Sequence, residues 1–229
     1  MAVKVAIVYY SATGTTYELA KAIEAGAKEA GADVRLRKVK ELAPEEAIRS
    51  NEGWAQHRLE TQDVPEASLD DLEWADAIIL GSPTRYGLPA AQLKQFMDTT
   101  GPLWGQGKLV NKITSAFTTT ATAHGGQEST ILAIHNAFYH WSAITVSPGY
   151  ADPIQFQAGN PYGASFQSNN GTVKPDETAL ASARFQGRRV AEIAAQFLAG
   201  KPAAAPRNDA GTGDNPEGGG TPQPGTQAD

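Results

Sequence analysis

The sequence contains no cysteine. That excludes disulfides, thiolate zinc sites, cysteine-ligated iron–sulfur clusters and thiol redox chemistry, so any electron transfer by this chain needs an organic cofactor. Positive charge is not in excess either. With 19 Lys and Arg against 25 Asp and Glu, the net charge is -6, which leaves no basic footprint for nucleic acid or an anionic membrane. A small anion must then be held by local dipoles. No apolar run approaches the roughly 20 residues of a membrane span, and Met1-Ala2 lead into the first apolar stretch without a signal-peptide core. The expected location is the cytoplasm. His-Glu-x-x-His is missing, and His135 and His140 are five apart, the wrong spacing for one helical face; no metal site is expected. Neither Gly-x-x-x-x-Gly-Lys-Ser/Thr nor Gly-x-Gly-x-x-Gly occurs, so the chain has neither a Walker loop nor a dinucleotide fingerprint.

What is present begins at the N-terminus. Val5-Ala6-Ile7-Val8-Tyr9-Tyr10 is a short, β-branched apolar run that suits a strand buried on both faces of a parallel sheet. Leu19, Ala20, Ile23 and Ala27 then recur at helical spacing. Between them lies Ser11-Ala12-Thr13-Gly14-Thr15-Thr16, where a strand ends and a helix begins. A helix start leaves amide N–H groups unpaired and carries the positive end of the macrodipole, which suits an anion. A plain cap needs one hydroxyl. Four hydroxyls in six residues, with Gly14 to let backbone come close, read instead as a cage for one phosphate monoester.

The rest of the chain repeats strand and helix. Strands are expected at Val34–Arg37 by alternation, as a sheet edge with one wet face, then at 74–81, at 112–118 and at 144–146, with helices between them. This is an α/β chain with a five-stranded, doubly wound parallel sheet and helices on both faces. Residues 43–73 form an insertion of weak helical character, and 148–175 is too long for a plain connection, hence a lid or an interface. These two segments hold Trp54, Tyr150, Phe156, Tyr162 and Phe166 outside the regular frame, where one subunit offers the rings few evident places to bury themselves. Residues 1–199 are expected to be one domain. Residues 200–229 lack Leu, Ile, Val and aromatic side chains and are expected to be a disordered tail.

Ligands of a doubly wound sheet lie outside the carboxyl ends of its strands. The loops there are 11–16, 82–86 and 119–126. Ile7-Val8-Tyr9-x-Ser11-x-x-Gly14-x-Thr16-x-x-x-Ala20-x-x-Ile23 resembles the flavodoxin phosphate-loop signature at every specified position. Gly-Ser-Pro-Thr-Arg-Tyr-Gly at 81–87, Leu103-Trp104, Gly125-Gly126-Gln127-Glu128 and Pro148-Gly149-Tyr150-Ala151 further resemble the WrbA-type NAD(P)H:quinone oxidoreductases of that superfamily. The resemblance covers roughly residues 3–199 and implies a flavodoxin-like fold.

It also implies noncovalent FMN, with Ser11, Ala12, Thr13, Gly14, Thr15 and Thr16 around its phosphate. Pro83, Thr84, Arg85 and Tyr86 would meet the flavin ring system; Thr119, Thr120, Ala121, Thr122 and Gly125 would line its other edge. His140 matches a flavin-contacting histidine, and Trp104 a substrate-site tryptophan; with Tyr86 these would receive the substrate. Thr13 stands where some relatives carry an aromatic residue near the nicotinamide, and Ala121, Ala123 and His124 replace a shorter, more glycine-rich segment. The implied activity is two-electron reduction of a quinone by NADH or NADPH in a ping-pong cycle, by a homotetramer with flavin sites near subunit contacts. The flavin carries the chemistry, and no side chain is expected to be catalytic. A flavodoxin-like electron carrier that docks on protein partners is the alternative.

Overall fold

The computed structural model describes residues 2–200; the expected tail, from Lys201 onward, lies outside the described residues. The chain runs β1 (Lys4–Tyr9), α1 (Thr15–Glu29), β2 (Asp33–Lys38), then three short helices, α2 (Glu45–Arg49), α3 (Glu52–Glu60) and α4 (Leu69–Trp74). It continues through β3 (Ala77–Arg85), β4 (Leu88–Pro89), α5 (Ala91–Asp98), α6 (Gly101–Gly105), β5 (Ile113–Thr120) and α7 (Gln127–His140). It ends with β6 (Ile144–Thr145), α8 (Pro153–Ala158), β7 (Ser165–Gln167) and α9 (Glu177–Ala199). The main sheet is parallel, in the order β2-β1-β3-β5-β6, with Ile7 opposite both Leu36 and Ile79. After β2 the chain reverses to the other side of β1, so the switch in strand order falls between β1 and β3.

Alternate strand residues feed two cores. Val5, Ile7, Tyr9 and Ile79 pack with Leu19 and Ile23 of α1 and Val190 of α9. Ala6, Val8, Ile78 and Leu80 pack on the opposite face with Leu93 of α5 and Ile131 and Ile134 of α7. Burial on both faces is why these strands read as continuous apolar runs. Helices α1 and α9 cross in close contact because both present glycine at the crossing. A Cβ on Gly26 would lie 1.8 Å from the carbonyl oxygen of Arg184, and one on Gly187 would lie 2.0 Å from that of Ile23.

Strand β5 is buried along its whole length although it reads Ile-Thr-Ser-Ala-Phe-Thr-Thr-Thr. Its hydroxyls are satisfied internally, as burial requires. Ser115 Oγ donates to the Val146 carbonyl at 2.6 Å and accepts from Gln186 Nε2 at 2.7 Å, while Thr118 Oγ1 donates to the Ser82 carbonyl at 2.7 Å.

The structure departs from the sequence reading in four places. Strand β3 does not stop at Gly81 but runs to Arg85, because Ser82 and Pro83 pair with Thr118 and Thr119, and Arg85 pairs with Leu88 in a short hairpin. The fifth lane of the sheet is split: β6 pairs with Ile113 and Thr114, the chain leaves to form α8, and β7 returns to pair with Thr118, Thr119 and Thr120. With β4 and β7 the sheet has seven strands.

The third departure is the edge strand β2, whose charged face is covered. Arg35 and Arg37 both donate to Oδ1 of buried Asp71 at 3.1 Å, and Arg35 lies over the Trp74 ring at 4.0 Å. Burial by itself would raise the Asp71 pKa. Hydrogen bonds from Ser68 and the two guanidinium groups outweigh it and hold the carboxyl below its ordinary range. Fourth, the aromatic residues outside the frame divide. Phe166 packs against the first core and Trp54 against the second, whereas Tyr150, Phe156 and Tyr162 are exposed.

Candidate cofactor site

The carboxyl ends of β1, β3 and β5 open onto a cavity of about 720 Å³, within the usual range for a small-molecule site. Its first wall is the turn from β1 to α1, where Ser11, Ala12, Thr13, Thr15 and Thr16 line the space. Gly14 is the N-cap residue of α1, at φ 95°, and does not itself line the cavity. Ser11 does act as a local cap: its Oγ accepts from the N–H groups of Gly14 at 3.1 Å and Tyr17 at 3.4 Å. Gly14 adds no side-chain cap, so the first turn of α1 presents amide N–H groups and dipole to the cavity. Thr16, nearly inaccessible to solvent, shares a 2.7 Å hydrogen bond with the Thr119 hydroxyl and so ties the first wall to the third.

The second wall is the hairpin β3–β4, with Pro83, Thr84, Arg85 and Tyr86. Tyr86 at φ 55° and Gly87 at φ 79° form a two-residue hairpin loop with both residues left-handed. A non-glycine residue in that region costs on the order of 1–3 kcal/mol, and here it holds a fully exposed tyrosine ring at the cavity mouth. Thr84 Oγ1 accepts from Thr130 at 2.8 Å and from the Gly87 N–H at 3.1 Å, and donates to the Gly125 carbonyl at 3.2 Å. That one hydroxyl locks the hairpin to the third wall. Arg85, whose Nη1 donates to the Thr84 carbonyl at 2.8 Å, is the one cationic side chain among the lining residues.

The third wall follows β5 and comprises Thr119, Thr120, Ala121, Thr122 and Gly125. Thr120 Oγ1 donates to the Thr122 carbonyl at 2.9 Å and accepts from Gln127 Nε2 at 3.1 Å. Gln127 in turn accepts from Ser165 Oγ at 2.8 Å, so the turn is braced by the first residue of β7.

Five further residues complete the lining and carry no local sign of it in the sequence: Asn51 and Trp54 from the first insertion, and Ser168, Asn170 and Gly171 after β7. Asn51 caps α3 by accepting from the Trp54 N–H at 3.0 Å, and Asn169-Asn170-Gly171 has positive φ throughout. In sequence these are a helix cap and a turn. The two insertions meet over Thr13: a Cβ on Gly171 would fall 2.3 Å from Thr13 Oγ1, and a Cβ on Gly53 would be 3.9 Å from Thr13 Cγ2.

Trp104 and His140 do not line this cavity. They lie against each other elsewhere, Trp104 Nε1 donating to the His140 carbonyl at 2.8 Å, and both are exposed. Among the described residues no three His, Asp or Glu side chains gather as a metal would require. No helix among them is long and apolar enough to cross a membrane.

A family model described as NADPH-dependent FMN reductase matches residues 3–156. The chain belongs to that family. A protein of Deinococcus radiodurans named NAD(P)H dehydrogenase (quinone) is 44% identical over 197 residues, covering 86% of this chain and 98% of the relative. A protein of the same name from Sinorhizobium fredii is 45% identical over 200 residues, covering 85% and 98%. Among solved structures, a flavodoxin-type, WrbA-like protein from Agrobacterium tumefaciens superposes with a TM-score of 0.61 at 26% identity, covering 85% of this chain and 99% of that one. The flavodoxin-like fold and the WrbA-type relationship are thus both shown. The family model ends before Ser168, Asn170 and Gly171, whereas the quinone dehydrogenase relatives are matched over almost their whole length.

Proposed function

We propose that this chain is an FMN-dependent NAD(P)H:quinone oxidoreductase. The observation that carries this reading is one cavity whose walls differ in chemistry. One wall carries the hydroxyls of Ser11, Thr13, Thr15 and Thr16 and the start of α1, which Ser11 caps in part; another carries the cation Arg85 and the ring of Tyr86. Such a site fits a flat ring system carrying one phosphate, and its donor set fits FMN without a further cation.

When bound, FMN would supply the redox chemistry that links a hydride donor, NADH or NADPH, to a two-electron acceptor, a quinone. The chain's own residues bind and orient. The amides of 11–16 and the Thr16 hydroxyl hold the phosphate; Arg85 and the loop 119–125 donate to the edges of the ring system; Tyr86 offers an aromatic surface to flat substrates at the cavity mouth. Thr13 borders the approach of the nicotinamide. Donor and acceptor would use one slot in turn, so the kinetics are ping-pong.

Residues 1–199 act as one domain, working in the cytoplasm where the pyridine nucleotide pools are. The working unit is a homotetramer. Exposed Leu132 and Tyr139 on α7, with Trp104 beside His140, and the tilted ring pair Tyr150 and Phe156 are apolar surfaces a lone subunit leaves to water. Trp104 and His140 stand outside their own subunit's cavity, so in this reading they serve the substrate slot of a neighbour.

Purified protein should release FMN on denaturation and oxidise NADH or NADPH with benzoquinone, with parallel double-reciprocal plots. Release of FAD, or no flavin after reconstitution, would overturn the cofactor. Slow turnover that rises only with an added protein partner would favour the electron carrier. Sedimentation should find tetramer, with turnover falling on dilution as tetramer is lost; a monomer at full activity would refute the assembly.

A further inference from the structure

One carboxylate outside the cavity gathers donors from three segments around it. Glu41, half-buried between β2 and α2, accepts five hydrogen bonds. Its Oε1 takes the N–H groups of Leu42 and Ala43 at 2.9 Å and Gln92 Nε2 at 2.8 Å. Its Oε2 takes Tyr10 OH at 2.9 Å and Trp54 Nε1 at 3.0 Å. Gln92 also donates to Tyr10 OH at 3.0 Å, closing the network.

Each side-chain donor leads to a different part of the site. Tyr10 is the residue before Ser11, where the phosphate loop begins. Trp54 lines the cavity beside Asn51 and, together with Ser11, also lines an adjoining cleft of about 220 Å³, so these two residues stand between the two spaces. Gln92 stands in the first turn of α5, which follows the hairpin of Arg85 and Tyr86. Trp54 packs against the second core from a nine-residue helix with little apolar character, and the bond to Glu41 is the polar contact that orients its indole N–H.

We infer that Glu41 is a positioning residue for the cofactor site: its carboxylate fixes Trp54 as a wall of the cavity and anchors the start of the phosphate loop. An ionised carboxylate suits the task because it is acceptor-only and can take donors on both oxygens. Burial by itself would raise the Glu41 pKa; the N–H of Ala43, with Gln92, Tyr10 and Trp54, more than offsets this and holds the group below its ordinary value. Glutamine at this place would turn one acceptor into a donor facing other donors.

The inference rests on FMN being the ligand, and its test separates the two. Dissociation constants for FMN and melting temperatures would be measured for the full chain, Glu41→Gln, Glu41→Ala, Trp54→Phe and the double variant Glu41→Ala/Trp54→Phe. Glu41→Ala should weaken FMN by tenfold or more, Glu41→Gln by less, and Trp54→Phe by several-fold. The double variant should be no more than twofold worse than Glu41→Ala, since residues acting as one unit are not additive. In the holoprotein, Trp54 emission quenched by the flavin should partly return in Glu41→Gln at unchanged melting temperature, which a purely structural role would not produce. Glu41 variants that bind FMN within twofold of the parent, or effects of Glu41→Ala and Trp54→Phe that multiply fully, would overturn the inference. A parent chain that binds no FMN would overturn the proposed function instead.

Discussion

The turn at residues 11–16, proposed to hold the phosphate, and the rim above it are built in opposite ways. Residues 11–16 form one unbroken turn whose geometry comes from its neighbours in sequence: a buried strand before it, a helix after it, and Ser11 bonding the amides of Gly14 and Tyr17. The rim is assembled from Asn51 and Trp54 on one side and Ser168, Asn170 and Gly171 on the other, segments more than a hundred residues apart that meet at Thr13. Anion binding needs only an oriented helix start, which a short sequence specifies. Enclosing the rest of the ligand needs distant surfaces brought together, which packing specifies.

Three changes test that contrast. The largest effect belongs to the loop. Thr16→Val removes, from a residue of the cavity lining, the hydroxyl that bonds Thr119, and should weaken FMN about tenfold or more, given roughly 1.5–3 kcal/mol for a hydrogen bond to a charged group. Fluorescence titration of the apoprotein would measure it, and unchanged affinity would mean the hydroxyl serves only Thr119.

A smaller effect is expected at the rim. Gly171→Ala places a methyl group against Thr13 Oγ1 at a φ of 84°, and the displaced turn should weaken FMN roughly fivefold, corresponding to about 1 kcal/mol of strain. Adding Thr13→Ala should recover part of this loss, because it removes the contact but not the strained backbone. No recovery would show that the turn fails for backbone reasons alone.

The smallest effect at neutral pH should come from His135, which touches neither region. Its ring is buried on α7 with Nε2 unpaired, and burial pushes its pKa down to about 4 from 6.5. Between these values the unfolded chain binds a proton that the folded chain does not, so stability is present above pH 6.5 and lost as pH falls toward 4, by on the order of 3 kcal/mol. His135→Leu should therefore change denaturation midpoints little at pH 8 and flatten the loss between pH 6.5 and 4. Buried His57, also shifted down by burial, should leave a residual slope of the same sign.

Legibility followed the same division. The strands β1, β3 and β5 and the helices α1, α7 and α9 were readable because burial on one or both faces imposes periodicity on neighbouring residues. Fourteen of the residues expected around the cofactor do line the cavity, since three loops at one end of a parallel sheet must converge there. Gly14 does not line the cavity, and Trp104 and His140 lie outside it. The helices α2, α3 and α4 were read only as weak helical character, and α8 and β7 not at all. They are too short for a hydrophobic period to emerge, and their stability comes from contacts such as Asp71 with Arg35 and Arg37.

By itself, then, the sequence determined the parallel α/β frame, the hydroxyl-rich turn at residues 11–16 that lines the cavity and the need for an organic cofactor, because chain periodicity, a local turn and the lack of cysteine each act over a few residues or over composition. Tertiary structure alone decided that Glu41 would gather Tyr10, Trp54 and Gln92, that Gly26 and Gly187 would bring α1 and α9 into contact, and that Gly53 and Gly171 would meet over Thr13. Those arrangements depend on which distant surfaces share the same space, and such a coincidence leaves no periodic trace in the residues on either side.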